Sequence, residues 1–457
     1  MKKRGAAALF LAGITCLAGC GFERPEPQPA ASENAERPVT SVKFWTYCTT
    51  PERDLDFENF KKILSEKYPE ISLDYTGFPG DIPTFAQKLD VAIASDTAPD
   101  MTDYYDSKYI RNGFYEPLDA YLDGWQGKDD LDPSAVERVR RYDPAGKALY
   151  AIPFSTQPWG MWVRKDLLKA AGLKVPDTWE DFFAAVPRLT DQDAGRYGIA
   201  IRGGPGSSNT LEALMYSYSG LTEYFDENGR CTINNPKNVE FVERYLGFYN
   251  RYSAKDDLVK GWTQLSASFQ AGKAAIIFHN FGSGPSMDEA FHKDDSRYQA
   301  VGLPKSAGGK RSSRFVLVRC VGMNSKSRVK EQAFQAMTVY CGGDVQIRRC
   351  KTQGEVPADR KAVSSAEYLK DARPYMELAA RISTERESPG LIDVPVYLPE
   401  YTEIQTEMEP LIQKVMTGKT TAKAMLDLWA EKLEAARAEF ESRREKTGAA
   451  ADGQRGA

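Results

Sequence analysis

The chain has few of the side chains and motifs that most catalytic and metal-binding sites need. Only two histidines occur, His279 and His292, which are too few and too isolated to build a catalytic triad. The sequence has no G-x-S-x-G elbow, no H-E-x-x-H pair and no P-loop lysine motif. These absences argue against the common hydrolase, metalloprotease and nucleotide-binding classes, and we expect neither a cofactor nor a metal.

The chain also lacks an excess of charge of either sign. Its 60 Lys and Arg residues stand against 64 Asp and Glu residues, which gives a formal net charge of -4. A nucleic-acid-binding protein needs a strong basic excess to replace phosphate counterions, so nucleic acid is not expected as a partner. The 457 residues, 42% of them hydrophobic, are enough for two or three ordinary soluble domains.

The apolar run near the N-terminus, residues 5–19, is too short for a transmembrane span. It follows three basic residues and ends in LAGC, a pattern typical of a secretory signal. The LAGC ending resembles the lipobox of bacterial lipoproteins, which implies cleavage before Cys20 and acylation of its thiol. A plain secretory peptide is the alternative. We predict a lipoprotein signal peptide at 1–19, then lipid-modified Cys20 and a flexible tether over 20–40, rich in Pro, Glu, Ala and Ser.

Cysteine is sparse, with seven residues in the chain. If Cys16 leaves with the signal peptide and Cys20 carries lipid, five remain, so at least one is unpaired within the chain. Their spacing fits no zinc pattern. A bridge between Cys341 and Cys350 across a Gly-Gly turn is conceivable, and the pairing stays open. The five are Cys48, Cys231, Cys320, Cys341 and Cys350.

Strand and helix patterns alternate along the first third of the chain. Residues 42–45 and 71–76 look like strands, and 56–68 has the spacing of an amphipathic helix. A second helical pattern and a third strand follow, the strand just after Pro99. This order predicts an α/β fold with a parallel sheet.

The stretch Lys147–Phe183 is predicted to connect two units of the fold. It contains an apolar strand at 149–152 and a second strand at 160–164, separated by Pro153 and Pro158. Between the strands lie Ser155, Thr156, Gln157 and Trp159. A chain that leaves one unit and enters another through prolines predicts a hinge at the floor of a cleft.

The same stretch carries a family resemblance. It contains GK-x-LYAIP, W-x-RKDLL and AGL-x-x-PDTWEDF; KLDVAIASDTAPDM precedes it, and FQAGKAA and GEVPA follow in order. These motifs resemble the family 1 extracellular solute-binding proteins of bacterial ABC importers, the maltose-binding-like proteins, which mostly bind sugars. The resemblance covers about residues 42–440. Trp162-Val163-Arg164-Lys165-Asp166 departs mildly from the family's usual Tyr-Asn-Lys-Asp.

The resemblance implies an α/β, two-lobe, periplasmic-binding-protein-like (type II) fold with a hinge and an interlobe cleft. The expected N-terminal lobe is 41–152 plus about 317–350, the C-terminal lobe 153–316 plus about 351–443, and 444–457 a disordered tail. Three chain crossings are expected, near Ile152–Phe154, Arg314–Leu317 and Lys351–Gly354. The implied protein is an extracytoplasmic monomer, anchored to the bacterial cell membrane by its lipid. It captures a carbohydrate, with many aromatics favouring an oligosaccharide, and delivers it to the permease subunits of an ABC importer.

The residue types that a sugar site needs occur where the predicted strands end. Sugars have hydroxyls around the rim and apolar C–H faces, so their sites combine aromatic platforms with carboxylates and amides. In an open α/β sheet, ligands bind at the carboxyl ends of strands. For Trp45 and Phe281, a place in the core is an equal alternative. The predicted carbohydrate-binding residues are Trp45, Tyr47, Asp103, Tyr104, Asp106, Gln157, Trp159, Asn280, Phe281 and Phe315.

Other classes of function stay open at this stage. The same fold could bind a non-sugar solute, or act as a sensor whose ligand signals without transport. A glycoside hydrolase needs only two carboxylates, which could come from Asp103, Asp106, Asp393 or Glu400. The ordered resemblance favours a binding protein that is not an enzyme.

Overall fold

The structure is a computed structural model that describes residues 39–47, 49–80, 82–309, 311, 316–384 and 394–455. The chain divides into Met1–Pro38 and Val39–Ala457, and only the second unit contains described residues. The predictions for the signal peptide, Cys20, most of the tether and Phe315 therefore lie outside the described residues.

The described residues form nine strands and a larger number of helices. The strands are β1 Thr40–Tyr47, β2 Ile71–Phe78, β3 Met101–Thr102, β4 Ala151–Arg164, β5 Tyr197–Ile199, β6 Ala274–Asn280, β7 Tyr298–Gly302, β8 Val316–Met323 and β9 Val356–Pro357. Short 3₁₀ turns cover Gln126–Asp130, Lys255–Val259 and Phe281–Ser283.

The helices before β8 are α1 Pro51–Lys67, α2 Ile82–Ala94, α3 Ser107–Arg111, α4 Asp119–Leu122, α5 Pro133–Arg140, α6 Lys165–Ala170, α7 Trp179–Leu189, α8 Ser207–Ser219, α9 Pro236–Leu246, α10 Trp262–Gln270 and α11 Gly284–Ala290. Those after β8 are α12 Lys330–Tyr340, α13 Gly343–Gln353, α14 Arg360–Val363, α15 Ala366–Leu369, α16 Pro374–Thr384, α17 Tyr401–Met416 and α18 Ala422–Arg455.

The strands form two sheets that share β4. In the first sheet β2, β1 and β3 are parallel neighbours, and β8 lies antiparallel between β3 and the first half of β4. Strand β9 also pairs with this half of β4. In the second sheet β6 and β7 pair antiparallel with the second half of β4, and β5 lies parallel to β6. The parallel β-α-β-α-β start of the chain is confirmed.

Each sheet has its own hydrophobic core, and these cores define two lobes. The first lobe is built on β1–β3 and β8, and its core contains Phe44, Phe60 and Met337. The second lobe is built on β5–β7, and its core contains Trp179 and Trp429. A third core packs Trp162 of β4 and Phe281, which directly follows β6, against α13–α16. The residue boundaries predicted for the two lobes remain predictions.

Two local features differ from the sequence-based expectations, and one agrees. The predicted pair of strands at 149–152 and 160–164 is one continuous strand, β4. Helix α18 runs to Arg455 and so includes most of the segment from residue 444 that the sequence predicted as a disordered tail. In the sequence, Thr178 and Asp181 have the spacing of a capping box, and the structure confirms one at the start of α7: the Thr178 and Asp181 side chains each accept the other's backbone amide.

The described cysteines are all unbridged and buried. Cys341 and Cys350 both have free thiols, so the conceivable bridge between them does not form. Cys231 and Cys320 likewise form no disulfide bond, while Cys48 lies outside the described residues. A search of the described helices finds none that is both long and apolar enough to cross a membrane.

Candidate functional site

The two sheets meet at the middle of β4. Pro158 is the last β4 residue that pairs with β8, and Trp159 is the first that pairs with β6, opposite Asn280. Gln157, Pro158 and Trp159 therefore lie where the strand passes from one lobe to the other. The sequence placed the hinge and cleft floor at these residues, and they do lie between the two cores.

A chain of polar side chains crosses this junction. The Asn280 amide donates to Gln157 Oε1 at 3.1 Å, and Gln157 Nε2 donates to Glu355 Oε1 at 2.5 Å. Arg319 then joins the two carboxylates: its Nη1 lies 3.5 Å from Glu355 Oε1 and its Nη2 is 2.7 Å from Asp103 Oδ2. Three of the predicted site residues, Asp103, Gln157 and Asn280, thus belong to one network.

Glu355 is the centre of the network and is fully buried. Besides Gln157, it accepts the Ser155 hydroxyl at 2.5 Å, and Arg349 Nε lies 3.8 Å from its second oxygen. Burial alone would raise the pKa of Glu355, but the charges of Arg349 and Arg319 outweigh it, and the pKa is lowered. Burial lowers the pKa of Arg349. The negative charges of Glu355 and Asp103 are therefore balanced by the positive charges of Arg319 and Arg349 inside the junction.

Asp103 has one oxygen available within this network. Its Oδ2 accepts from Arg319 and from the Thr46 hydroxyl at 2.7 Å. Its Oδ1 is buried and has no hydrogen-bond partner among the described residues. A buried acceptor without a donor is costly, so this oxygen is a candidate to accept a ligand hydroxyl.

Aromatic side chains line the second-lobe side of the junction. The Trp159 ring lies 5.5 Å from that of Trp262, the first residue of α10, and Trp262 packs on His279 with ring centroids 3.2 Å apart. The Arg202 guanidinium lies 5.0 Å from the Trp262 ring centroid. Trp159 is 5% exposed, whereas Trp262 is half-buried.

The predicted aromatic residues of the first lobe also lie together. Tyr47, at the end of β1, is half-buried. Its ring centroid lies 5.8 Å from that of Tyr104 and 5.7 Å from that of Phe85. The Arg319 guanidinium lies 5.0 Å from the Tyr47 ring centroid, which connects this group to the polar network. Burial raises the pKa of Tyr104, whose ring is part of the core. Trp45 is half-buried and packs on Phe78, with ring centroids 4.9 Å apart.

Two predicted site residues have other roles in the structure. Phe281 is fully buried in the third core, edge-on to Trp162 at 6.1 Å, so it has no exposed face on which a ligand could stack. Both oxygens of Asp106 are engaged: Oδ1 caps α3 by accepting the Lys108 amide at 2.8 Å, and Oδ2 accepts the Thr402 hydroxyl at 2.7 Å. We leave both residues out of the site, and Phe315 lies outside the described residues.

The carboxylates considered for glycoside hydrolysis are not arranged as a free pair. Asp103 is bound to Arg319, Asp106 caps α3, and Glu400 forms an ion pair with Arg111 at 2.6 Å. Asp393 lies outside the described residues. No group of three or more His, Cys, Asp or Glu in the described part of the chain could hold a metal ion.

The sequence did not reveal three residues of this site. Arg319 interrupts the apolar run of β8, which was the available signal for a buried charge with a partner. Glu355 lies within GEVPA, a motif that served only for the family resemblance. Trp262 opens a helix directly after Gly261 and was not considered.

Comparison with known proteins agrees with this architecture. The model of the family described as bacterial extracellular solute-binding protein matches residues 55–340. The maltose-bound MalE3 of T. maritima superimposes with a TM-score of 0.73 at 20% identity, over 86% of this chain and 99% of that one. The cycloalternan complex of Lmo0181 from Listeria monocytogenes superimposes with a TM-score of 0.72 at 19% identity, over 88% of this chain and 99% of that one. The two-lobe α/β fold is confirmed.

Curated relatives are similar over most of their length. The mannitol-binding protein of Pseudomonas aeruginosa is 25% identical over 80% of this chain and 86% of its own. The galactooligosaccharide-binding protein of Bacillus subtilis is 26% identical over 66% of this chain and 70% of its own. Because the family model spans more than half of the sequence, the chain belongs to the bacterial extracellular solute-binding protein family.

Proposed function

We propose that the protein captures a carbohydrate in the cleft between its lobes and delivers it to the permease of an ABC importer. In this role it is a monomer without enzymatic activity, held outside the cytoplasm by lipid on Cys20. Family membership and relatives named for mannitol and galactooligosaccharide binding support the proposal.

The observation that carries the proposal is the pairing of amide and aromatic groups at the lobe junction. Gln157 and Asn280 are hydrogen-bonded to each other, and Trp159 stands beside them with Trp262. Amides that bind hydroxyls next to aromatic rings that pack on C–H faces are the combination that a sugar requires. Asp103 Oδ1 supplies a further acceptor.

The electrostatics of the junction favour a neutral ligand. The carboxylates of Asp103 and Glu355 are matched by the guanidiniums of Arg319 and Arg349. A strongly charged solute would find no uncompensated opposite charge in this network, whereas a polyhydroxylated neutral solute needs none. Polyamines and organic anions are therefore less suited to this site than sugars or sugar alcohols.

The proposal is tested by a ligand screen on the purified protein. Ligand that binds only the folded state raises stability, so we expect a thermal shift with a sugar, a sugar alcohol or an oligosaccharide. Mannitol, maltose and galactooligosaccharides are the first probes, with polyamines and organic anions for comparison. A shift with an amine or an anion and none with any sugar would overturn the carbohydrate assignment, and recovery of a cleaved sugar would make the protein an enzyme.

The site itself is tested by titration calorimetry with the sugar found. Trp159→Ala is expected to weaken binding by about 1–3 kcal/mol if the ring contacts the ligand. Trp125→Ala is the matched control, because Trp125 packs partly buried against the first-lobe core. An unchanged dissociation constant for the Trp159 variant would remove this residue from the site.

A further inference from the structure

The two lobes touch each other on one side, between α3 and the start of α17. Three polar contacts join them: Thr402 Oγ1 donates to Asp106 Oδ2 at 2.7 Å, the Ser107 hydroxyl to the Leu398 carbonyl oxygen at 3.3 Å, and Arg111 to Glu400 at 2.6 Å. We name these six residues the interlobe latch. Their separation along the chain is nearly 300 residues, so the contact is purely tertiary.

The first-lobe side of the latch is held rigidly. Helix α3 is fixed to α2, since Lys108 and the Tyr109 hydroxyl both bind Asp90 at 2.9 Å. Asp106 caps α3 with one oxygen and reaches the other lobe with the second. The Tyr109 and Ile110 side chains are buried among first-lobe aromatics.

The second-lobe side is anchored equally well. Tyr401 stands between Glu400 and Thr402, and its hydroxyl binds both oxygens of buried Glu212, at 2.9 and 3.1 Å. Gln405 Nε2 donates to the same hydroxyl at 2.8 Å and also to Glu212, and these contacts with Glu212 fix the start of α17 to α8. Leu398 is fully buried in the second-lobe core. Both halves of the latch thus belong to well-ordered parts of different lobes.

We propose that the interlobe latch holds a fraction of the ligand-free protein closed and thereby sets the affinity of the cleft. None of its contacts involves the residues of the candidate site, so it acts with or without ligand. Any contact made only in the closed state shifts the open–closed equilibrium by its own free energy. The expected effect on sugar affinity rests on the proposed function, whereas the expected effect on the separation of the lobes in the ligand-free protein does not.

The test is a charge exchange in the Arg111–Glu400 pair, with small-angle X-ray scattering of the ligand-free protein. Arg111→Glu and Glu400→Arg should each increase the radius of gyration, because like charges then face each other across the lobes. The double exchange should restore the wild-type value. The control is Arg230→Glu, which breaks an ion pair to Asp226 within one turn of the second lobe.

A second variant tests the hydrogen bond between Thr402 and Asp106. Thr402→Val keeps the size of an exposed side chain and removes only the hydroxyl that Asp106 accepts, so it is not expected to impair folding. It should also open the ligand-free protein. For any sugar that binds, each single variant should raise the dissociation constant about two- to fivefold. This is the change in affinity expected from the loss of one exposed polar contact.

The outcomes separate the latch from the proposed function. If wild type, both charge reversals and Thr402→Val had equal radii of gyration, the proposal that the latch holds the lobes closed would be wrong. A double exchange that stays as open as the single variants would also overturn the pairing. Failure of every sugar to bind would count against the proposed function alone, because the scattering measurement needs no ligand.

Discussion

At the scale of single residues, His279 shows that the end of a cleft-bound strand can be part of the core. Asn280 was predicted as a binding residue at a strand end, and it does lie at the junction, but its neighbour His279 is fully buried. Its Nε2 lies 3.1 Å from the Ser266 hydroxyl, and the Trp262 ring covers it. Burial, together with the charge of Arg202, lowers the pKa of His279 to about 3.

This buried histidine should make stability depend on pH. Folded His279 stays neutral, while in the unfolded chain it is protonated below its ordinary pKa of about 6.5. Its contribution is therefore complete above pH 6.5 and is lost as the pH falls toward 3, by at most about 1.4 kcal/mol per pH unit. Urea unfolding between pH 7 and 4.5 should show a flatter dependence for His279→Phe than for wild type.

The other histidine supplies the control for that experiment. His292 is exposed and has a positive φ of 53°, which asparagine tolerates, so His292→Asn should keep the wild-type pH dependence. Burial also raises the pKa of the Asp106 carboxyl, but this group is common to all variants. If His279→Phe and His292→Asn gave parallel curves, His279 would not be a neutral buried group.

At the scale of elements, β4 explains why two predicted strands became one. Prolines normally end a central strand because they lack the N–H that the ladder needs. Here Pro153 stands at a shift of register and Pro158 at the change from β8 to β6. The strand can therefore continue through both prolines. The sequence marked the change of sheet correctly, but it could not show that the backbone runs on.

Residues close to the three predicted chain crossings converge on one carboxylate. Ser155 and Gln157 of β4, Arg319 of β8 and Arg349 of α13 all contact Glu355, which follows α13 directly. The crossings were predicted near Ile152–Phe154, Arg314–Leu317 and Lys351–Gly354, close to these residues. A single buried side chain thus ties together the segments about which the lobes would move.

Loss of this charge should destabilise the fold more than a surface change does. Glu355→Gln leaves two buried guanidiniums with too little negative charge, and removing one partner of a buried pair costs about 3–5 kcal/mol. Glu367→Gln, on an exposed part of α15, should stay within about 0.5 kcal/mol of wild type. Urea unfolding of both variants measures the difference. Equal stabilities would mean that the network adds little to the fold.

At the scale of the whole molecule, the lobes and their order could be predicted, but the contacts between them could not. Periodicity and ordered motifs depend on local sequence, and they located Gln157 and Asn280 at the junction. The Arg319–Glu355 and Arg111–Glu400 pairs are 36 and 289 residues apart. In the sequence Glu355, Arg111 and Glu400 look like any solvated surface charge, because only the folded chain determines which residues meet.

The membrane attachment in our proposal is a property of the whole chain that rests on its first residues. The sequence LAGC and the polar segment after it predict a lipid-anchored body on a flexible tether. Acyl chains hold a protein at a bilayer through about 0.8 kcal/mol per buried CH₂ group, and stable anchoring takes about two chains. A thiol at position 20 is required for this modification, whereas a hydroxyl there would not serve.

Cys20→Ser is therefore expected to release the protein from the membrane fraction of the producing cells. Cys16→Ser is the matched control, since Cys16 lies four residues earlier, within the predicted signal peptide, and should leave the anchored fraction unchanged. Fractionation with immunodetection measures both, and mass spectrometry of the N-terminal peptide should find the lipid on Cys20 only. A soluble wild-type protein that begins after a cleaved secretory peptide would replace the lipid anchor with simple secretion, while leaving the solute-binding fold and its cleft unaffected.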